Sequence, residues 1–408
     1  MTESSETGDV PDDAGARRET PMATRIKERL RRTGPLSMKA YINLCLSDPE
    51  HGYYATRDVI GQTGDFTTAP EISQIFGELI GLWCAVVWQQ MGQPASLTLI
   101  ELGPGRGTLM KDVLRATANV PGFHDALQIV LVEHAENLRA AQAQALSNAQ
   151  CALDRVGDYR RLFESASVAP ERATLIIANE FFDALPAETR ICDGTCCSDD
   201  PQNIWLTYGV RLDGDRLIER TIEHAQDIGS PPNQPIDHET GRLNARFPDA
   251  KPGDLYIDQT GIFRDFADLI AQFDRVAALV IDYGHTEPTL GDTLQAVRDH
   301  RFENPLTSPG EADLSYQVAF GEFTEALSEK GLAVDGPITQ AEFLGALGLA
   351  ERASRLMAAN PARAHEVEAG ALRLVAPNAM GTRFKVLGAR SKSLPPLPGL
   401  PPQRGSTP

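Results

Sequence analysis

Apolar positions along the chain alternate between two periodicities, and their order predicts an α/β fold. The run Leu97 to Ile100 ends in Glu101-Leu102-Gly103-Pro104-Gly105-Arg106-Gly107, after which Leu109, Val113 and Leu114 take up helical spacing. That is a strand, a Gly-rich turn and a helix. The alternation repeats, with strands at Leu127 to Val132, Ala152 to Val156, Ala173 to Ala178 and Val276 to Ile281 and a last one at Thr382 to Leu387. Helical patterns cover Ala135 to Leu146 and Phe320 to Lys330. Strands alternating with helices imply a mostly parallel sheet covered on both faces. Upstream, Ile72, Ile75, Phe76, Leu79, Ile80, Trp83, Val86 and Val87 predict one amphipathic helix that starts at Glu71 behind Pro70.

Two stretches interrupt this pattern. IWLTYGVRLDGDRLIE, between Arg190 and Arg220, alternates like a hairpin turning at Asp213-Gly214, and Ser230 to Asp254 reads as a Pro-, Asn- and Asp-rich loop. A helical stretch from Thr339 to Leu374 separates the last two strands. The expected organisation is a disordered tail (1–21), an N-terminal helical region packing on the core (22–92), and a core (93–338 and 376–390) with insertions at 190–254. A helical insertion (339–375) would act as a lid together with the helices around Ile26 to Leu46, and a Pro-rich tail (391–408) would play no part in the chemistry.

Composition narrows the class. The chain has 408 residues, 42% of them apolar, enough for more than one folded unit. Its formal charge of −18 would repel a phosphate backbone, which argues against nucleic acid as substrate and favours a cationic partner. The six cysteines form no C-x-x-C unit, so no metal is expected; Cys192, Cys196 and Cys197 read as free thiols on a surface hairpin. No apolar run suggests a membrane span and no signal peptide opens the chain, so a cytoplasmic protein is expected.

A Gly-rich turn between strand and helix lets a ligand approach backbone without side chains in the way. A dinucleotide fingerprint counted from Gly103 needs a small sixth residue, and Thr108 stands there. The spacing Gly103, Gly105, Gly107, preceded by Glu101, instead resembles the first motif of class I S-adenosylmethionine (SAM)-dependent methyltransferases. Glu133, closing the second strand, can accept from two ribose hydroxyls, and Asp158 is a candidate on the adenine side.

Longer stretches carry a closer resemblance. GPLSMKAYINLCLSDPEHGYY (34–54), GDFTTAPEISQIFGELIGLW (64–83), LIELGPGRGTLMKDVLR, IIANEFFDALP (176–186), VIDYGH (280–285), HRFENPLTSPGEADLSYQVAF (300–320) and MGTRFKVLG (380–388) resemble the MidA family. That family groups bacterial proteins with mitochondrial complex I assembly-factor methyltransferases. The resemblance implies a Rossmann-like, seven-stranded class I methyltransferase core with helical lid insertions, and SAM as cofactor. For mitochondrial members it implies symmetric arginine dimethylation of a complex I subunit, so a protein substrate is expected here, with a homodimer as a further expectation and the mitochondrial matrix as location in a eukaryote. Gly103, Gly105 and Glu133 match the SAM-binding motifs, and Asn179 and Glu180 match the substrate-facing motif at the end of the fourth strand.

Transfer to an arginine requires carboxylates that match a planar, charged fork. Glu180 and Asp183 lie three apart, where a helical turn would bring them to one side, and with Asn179 they form the expected catalytic set. Glu71, Asp282, Glu311 and Asp313 are further acids inside the family motifs. Glu71, Asp282, Glu311 and His285 are the expected substrate contacts, although Glu71 also suits a helix N-terminus and His285 a turn. Two rivals remain at this stage, a non-catalytic SAM-binding assembly factor and an NAD-dependent oxidoreductase, the latter disfavoured by Thr108.

Overall fold

The computed structural model describes residues 18–56, 68–149, 151–195, 203–222 and 236–403. Residues 1–17 of the expected N-terminal tail, 404–408 of the C-terminal tail, Cys196 and Cys197, and the start of the expected 230–254 loop lie outside them.

Seven strands build the central sheet: β1 (Leu97–Leu102), β2 (Leu127–Val132), β3 (Ala152–Val156), β4 (Ala173–Asn179), β5 (Val276–His285), β6 (Ala333–Thr339) and β7 (Phe384–Arg390). Their order is β3-β2-β1-β4-β5-β7-β6, with β7 antiparallel to both neighbours and the other pairings parallel. The short strand Val318–Ala319 adds a parallel pairing to the end of β5 at Gly284 and His285. The chain winds outward from β1 to β3, then crosses back to β4 on the other side of β1. Such a reversal opens a crevice at the carboxyl ends of the two central strands.

Period-two alternation sorts the strand residues into two cores. Leu97, Leu99, Ile129, Leu131, Leu175 and Ile177 pack with the helices Gln74–Gln90 and Thr108–Thr117. Ile100, Leu102, Val130, Val132, Ile176 and Ala178 pack with Thr260–Ile270 and Phe320–Glu329. The helices Pro21–Thr33 and Met38–Ser47 join this second core. An antiparallel sheet stands beside it, in the order Leu36–Ser37, Asn203–Asp213, Glu188–Thr195, Leu255–Asp258, with Arg216–Ile222 also paired to Asn203–Asp213. The turn at Asp213-Gly214 is where the alternation placed it.

Several expectations need correction. The helix expected from Glu71 is two: Ala69–Ile72 ends at Ser73, which is extended (φ −154°, ψ 129°), and the Ser73 hydroxyl then caps Gln74–Gln90 by accepting from the Ile75 N–H. A capping serine interrupts the register that the apolar spacing carries across. The stretch expected as a loop up to Asp254 contains the helix Ile236–Arg246, which buries Leu243 against Trp205. Cys192 joins that cluster, so it is a packed side chain and not a surface thiol. The lid expectation divides between the faces. Helices Gln340–Ala346, Leu349–Ala359 and Ala364–Val375 pack in the core of Gln74–Gln90, away from the N-terminal pair Pro21–Thr33 and Met38–Ser47. At the N-terminus the fold begins earlier than residue 22, because Thr20 caps Pro21–Thr33 by accepting from the Ala23 N–H and is itself buried.

The Pro-rich end is the largest departure. Leu394, Leu397 and Leu400 are buried, and added β-carbons at Gly388 would fall 2.7 Å from methyls of both Leu397 and Leu400. The tail therefore seats where β7 has no side chain. Arg390 donates to Asp335 Oδ2 at 2.8 Å, Leu397 N–H donates to the same oxygen at 2.9 Å, and Arg390 also donates to the Leu394 carbonyl. Ending the chain after Arg390 is expected to destabilise it by about 5 kcal/mol, at roughly 1.5–3 kcal/mol per leucine uncovered. Thermal denaturation checks this: a lower melting temperature for the truncated chain is the expected result, and an unchanged one shows that the segment does not dock.

Candidate active site

A cavity of about 840 Å³ opens at the carboxyl ends of β1, β2 and β4. It is built from elements far apart in sequence. One end holds Gly103 and Gly105, with φ of +65° and +53°, values that L side chains adopt only at a cost. Glu133 lies beside them, its Oε1 accepting from the Ala135 N–H at 2.9 Å. Burial pushes the Glu133 carboxyl up to about 7, against the pull of that N–H and of Arg139. Asp158 sits at the same end, its Oδ1 accepting from Arg160 N–H to cap the turn Tyr159–Glu164.

The other end is acidic. Glu180 follows β4 with φ +51°, a left-handed conformation that is uncommon for a non-glycine residue and concentrates at functional sites. Its backbone N–H is tied to the Ile281 carbonyl at 2.8 Å, and its Oε1 accepts from the Ala69 N–H at 2.8 Å and from Asn179 Nδ2 at 3.3 Å. Burial still raises its carboxyl to about 7. Asp183 and Asp313 line the cavity with it. Burial and the facing charges of Asp282, Asp313 and Glu180 hold Asp183 well above the usual carboxylate range. Tyr54 completes this wall, its hydroxyl donating to Asp313 Oδ1 at 3.3 Å.

The cavity thus gathers six of the expected site residues, Gly103, Gly105, Glu133, Asp158, Glu180 and Asp183, together with Asp313, one of the further acids of the family motifs. The other expected residues do not line it. Glu101 alternates onto the face of Leu97 and Leu99 beneath the loop, where burial and the Glu133 charge push it up to about 8 and its Oε2 has no hydrogen-bond partner among the described residues. Gly107 (φ +82°) caps the helix Thr108–Thr117, where a β-carbon would sit 3.4 Å from Gln142 Cα; its place in the fold is helix packing. Asn179 lies behind Glu180 and supports it.

The expected substrate contacts are displaced for identifiable reasons. Asp282 is fully buried and accepts from the backbone N–H groups of Phe181, Phe182, Asp183 and Tyr283, so it shapes the loop that carries Glu180 and Asp183. Glu71 accepts from the Thr108 hydroxyl in the first turn of its short helix. His285 ends β5, and its Nδ1–H donates to the Glu287 carbonyl within a turn. Glu311 pairs with Arg18 at 2.8 Å and Arg298 at 3.5 Å, away from the cavity. No residue of 339–375 lines the cavity; the helix Met38–Ser47 does, through Lys39, Ala40, Asn43 and Ser47. Tyr54, Tyr159 and Ser315 are among the cavity residues that periodicity and motif reading did not single out.

Whether SAM suits this cavity is a question of its surfaces. Two left-handed glycines leave bare backbone at one end, and Glu133, an acceptor with two oxygens, keeps capacity there beyond the Ala135 N–H and the Gln142 amide, which lies 3.5 Å from Oε2. The volume lies within the range of small-molecule sites. The residues present fit the group: Gly103 and Gly105 would take its close approach, and Glu133 its ribose hydroxyls.

Comparison with known proteins gives the same answer. Residues 79–338 match a family described as S-adenosyl-L-methionine-dependent methyltransferases. The chain is 32% identical over 371 residues to the mitochondrial protein arginine methyltransferase NDUFAF7 of Danio rerio, covering 86% of this chain and 83% of that one. It is 31% identical over 386 residues to the Homo sapiens protein of the same name, covering 90% and 82%. Its fold is similar to the crystal structure of a Burkholderia thailandensis protein bound to S-adenosyl-homocysteine, with a TM-score of 0.77, 22% identity, and coverage of 93% of this chain and 94% of that one. With its sequence matched over most of its length, the chain belongs to the S-adenosyl-L-methionine-dependent methyltransferase family that includes NDUFAF7.

Proposed function

We propose that this methyltransferase modifies an arginine side chain of a protein client. The observation that carries the reading is the acidic end of the cavity, where Glu180, Asp183 and Asp313 line one concavity with the glycine-lined end. Like charges brought together in a buried place favour a cationic guest. A guanidinium, planar and always charged, is the guest whose donors match several carboxylates at once.

Bound SAM supplies an electrophilic methyl group on a sulfonium. The protein has to hold the acceptor nitrogen in line with that methyl, exclude water, and take one proton from the nitrogen as the N–C bond would form and the methyl–sulfur bond break, its electron pair leaving with the thioether S-adenosylhomocysteine. Glu180 is the group proposed for the proton, because its carboxyl sits near neutrality and its left-handed backbone is locked by the Ile281 carbonyl. Asp183 orients the rest of the fork, and Asn179 and Asp282 keep these two in place.

The same reading extends to partner and place. A subunit of respiratory complex I is the proposed client, the product a dimethylarginine and the working form a homodimer, with the matrix as location in a eukaryotic host and the cytoplasm in a bacterial one. Among the described residues no helix is long and apolar enough to cross a membrane. The experiment is transfer of label from methyl-tritiated SAM to a proteome lacking this activity, followed by peptide mapping of the labelled protein.

A further inference from the structure

Glu180 and Asp282 are already engaged by the protein. One oxygen of Glu180 receives two donors, the Ala69 N–H and Asn179 Nδ2, and Asp282 receives four backbone N–H groups. A guanidinium brings five N–H donors in a rigid fork, more than the remaining face of Glu180 can satisfy. Asp183 lies on the same loop as Glu180, so only a carboxylate on another element can grip the fork from a second side.

Asp313 answers that need. It stands on the strand Asp313–Ser315, lines the cavity, and is close enough to Asp183 for each to feel the other's charge. The Tyr54 hydroxyl donates to its Oδ1, which aims a carboxylate and keeps it an acceptor. Tyr54 comes from the turn Tyr53–Thr56, on a different part of the chain. Two residues along this wall, Ser315 accepts from the Tyr283 hydroxyl at 2.9 Å, so the strand is pinned at both ends of its cavity face.

We propose that Asp313 is a substrate-gripping carboxylate that binds the acceptor's guanidinium from a second wall of the cavity, and that Tyr54 is the positioning residue that aims it. This rests on the arginine reading above. It makes selection of guanidinium over ammonium a property of two walls, since a compact ammonium cannot span them as a planar fork can.

The test uses ethylguanidinium and ethylammonium as competitors of methyl transfer by the full-length enzyme. Wild type is expected to be inhibited by ethylguanidinium and at least about tenfold less by ethylammonium, as planar bidentate recognition implies. Asp313→Asn is expected to lose roughly tenfold or more of the ethylguanidinium inhibition and to raise KM for the protein acceptor, while S-adenosylhomocysteine affinity by calorimetry stays unchanged. Asp313→Glu should recover part of the loss. Tyr54→Phe should raise the same KM with a smaller effect, and it carries the test if Asp313→Asn does not fold. Ethylguanidinium inhibition that is equal in wild type, Asp313→Asn and Tyr54→Phe overturns the proposal. Failure of ethylguanidinium to compete with wild type at all overturns the arginine reading itself.

Discussion

Glu180→Gln is expected to leave S-adenosylhomocysteine affinity within a few-fold of wild type and to lower methyl transfer by roughly 100-fold or more, the scale on which single positioned electrostatic groups act. The substitution keeps size and removes charge. The glutamine can still accept from the Ala69 N–H, so the link between the Glu180 loop and the segment at Ala69 survives. What disappears is the carboxylate that disperses charge from the attacking nitrogen and takes its proton. Those contributions grow toward the transition state, so the loss should fall on kcat more than on KM. The pH profile gives a second reading. Burial raises the Glu180 carboxyl to about 7, so its neutral form accumulates as pH falls through that value, and only the ionised form can accept a proton. In wild type, kcat/KM for the acceptor should therefore fall on the acid side of about pH 7. In Glu180→Gln that limb should be lost along with most of the activity. Wild-type turnover by the variant would show that Glu180 only supports the loop.

The second large effect is expected at the other end of the cavity. Gly103 has φ +65°, and a β-carbon built there lies 2.9 Å from Cδ2 of Phe181. Phe181 is not free to retreat, because its ring meets Tyr159 and Phe182 edge-on at 5.8 and 5.3 Å. Gly103→Val therefore strains the loop and pushes a wall of the cavity. S-adenosylhomocysteine binding should weaken by roughly 100-fold or more, about 2.8 kcal/mol at 1.4 kcal/mol per decade. Calorimetry measures the affinity, and the melting curve of the ligand-free variant reports whether the sheet still forms. Gly103→Ala, with the same strained φ and less bulk, should lie between the two. Undiminished affinity in a folded Gly103→Val chain would place the ligand elsewhere.

Most of the central sheet is legible because its signals are local; β6 is not, since Asp335, Gly336 and Pro337 interrupt its apolar run and no strand is expected there. The apolar runs bound β2 and β3, they mark β1, β4 and β5 short of their full extent, and the glycine loop and Glu133 each follow directly on the end of an apolar run. The walls of the site were not legible in that way. Tyr54 and Asp313 are separated by 259 positions, and no periodicity links a tyrosine in a short turn to an acid on a three-residue strand. Asp282 stands out in sequence as an acid in a motif, but its role depends on three consecutive N–H groups that turn back toward it after β4. The C-terminal segment misled for a related reason. Its leucines at 394, 397 and 400 recur every third residue among prolines, the period of an extended polyproline helix, which matches neither helix nor strand templates. Their burial depends on the space left at Gly388, on a different element. At Ser73 the apolar spacing ran straight through a helix break, because side-chain periodicity does not record one residue's change of ψ.

The arginine reading meets its most direct test in the identity of the labelled atom. Purified full-length protein is incubated with methyl-tritiated SAM and a proteome that lacks this activity, and the labelled protein is digested, sequenced by mass spectrometry and hydrolysed to its amino acids. The account predicts that the label resides on arginine, as methylarginine or dimethylarginine, and that Glu180→Gln yields little of it under the same conditions. Label recovered on lysine, glutamine or a carboxylate side chain would contradict it.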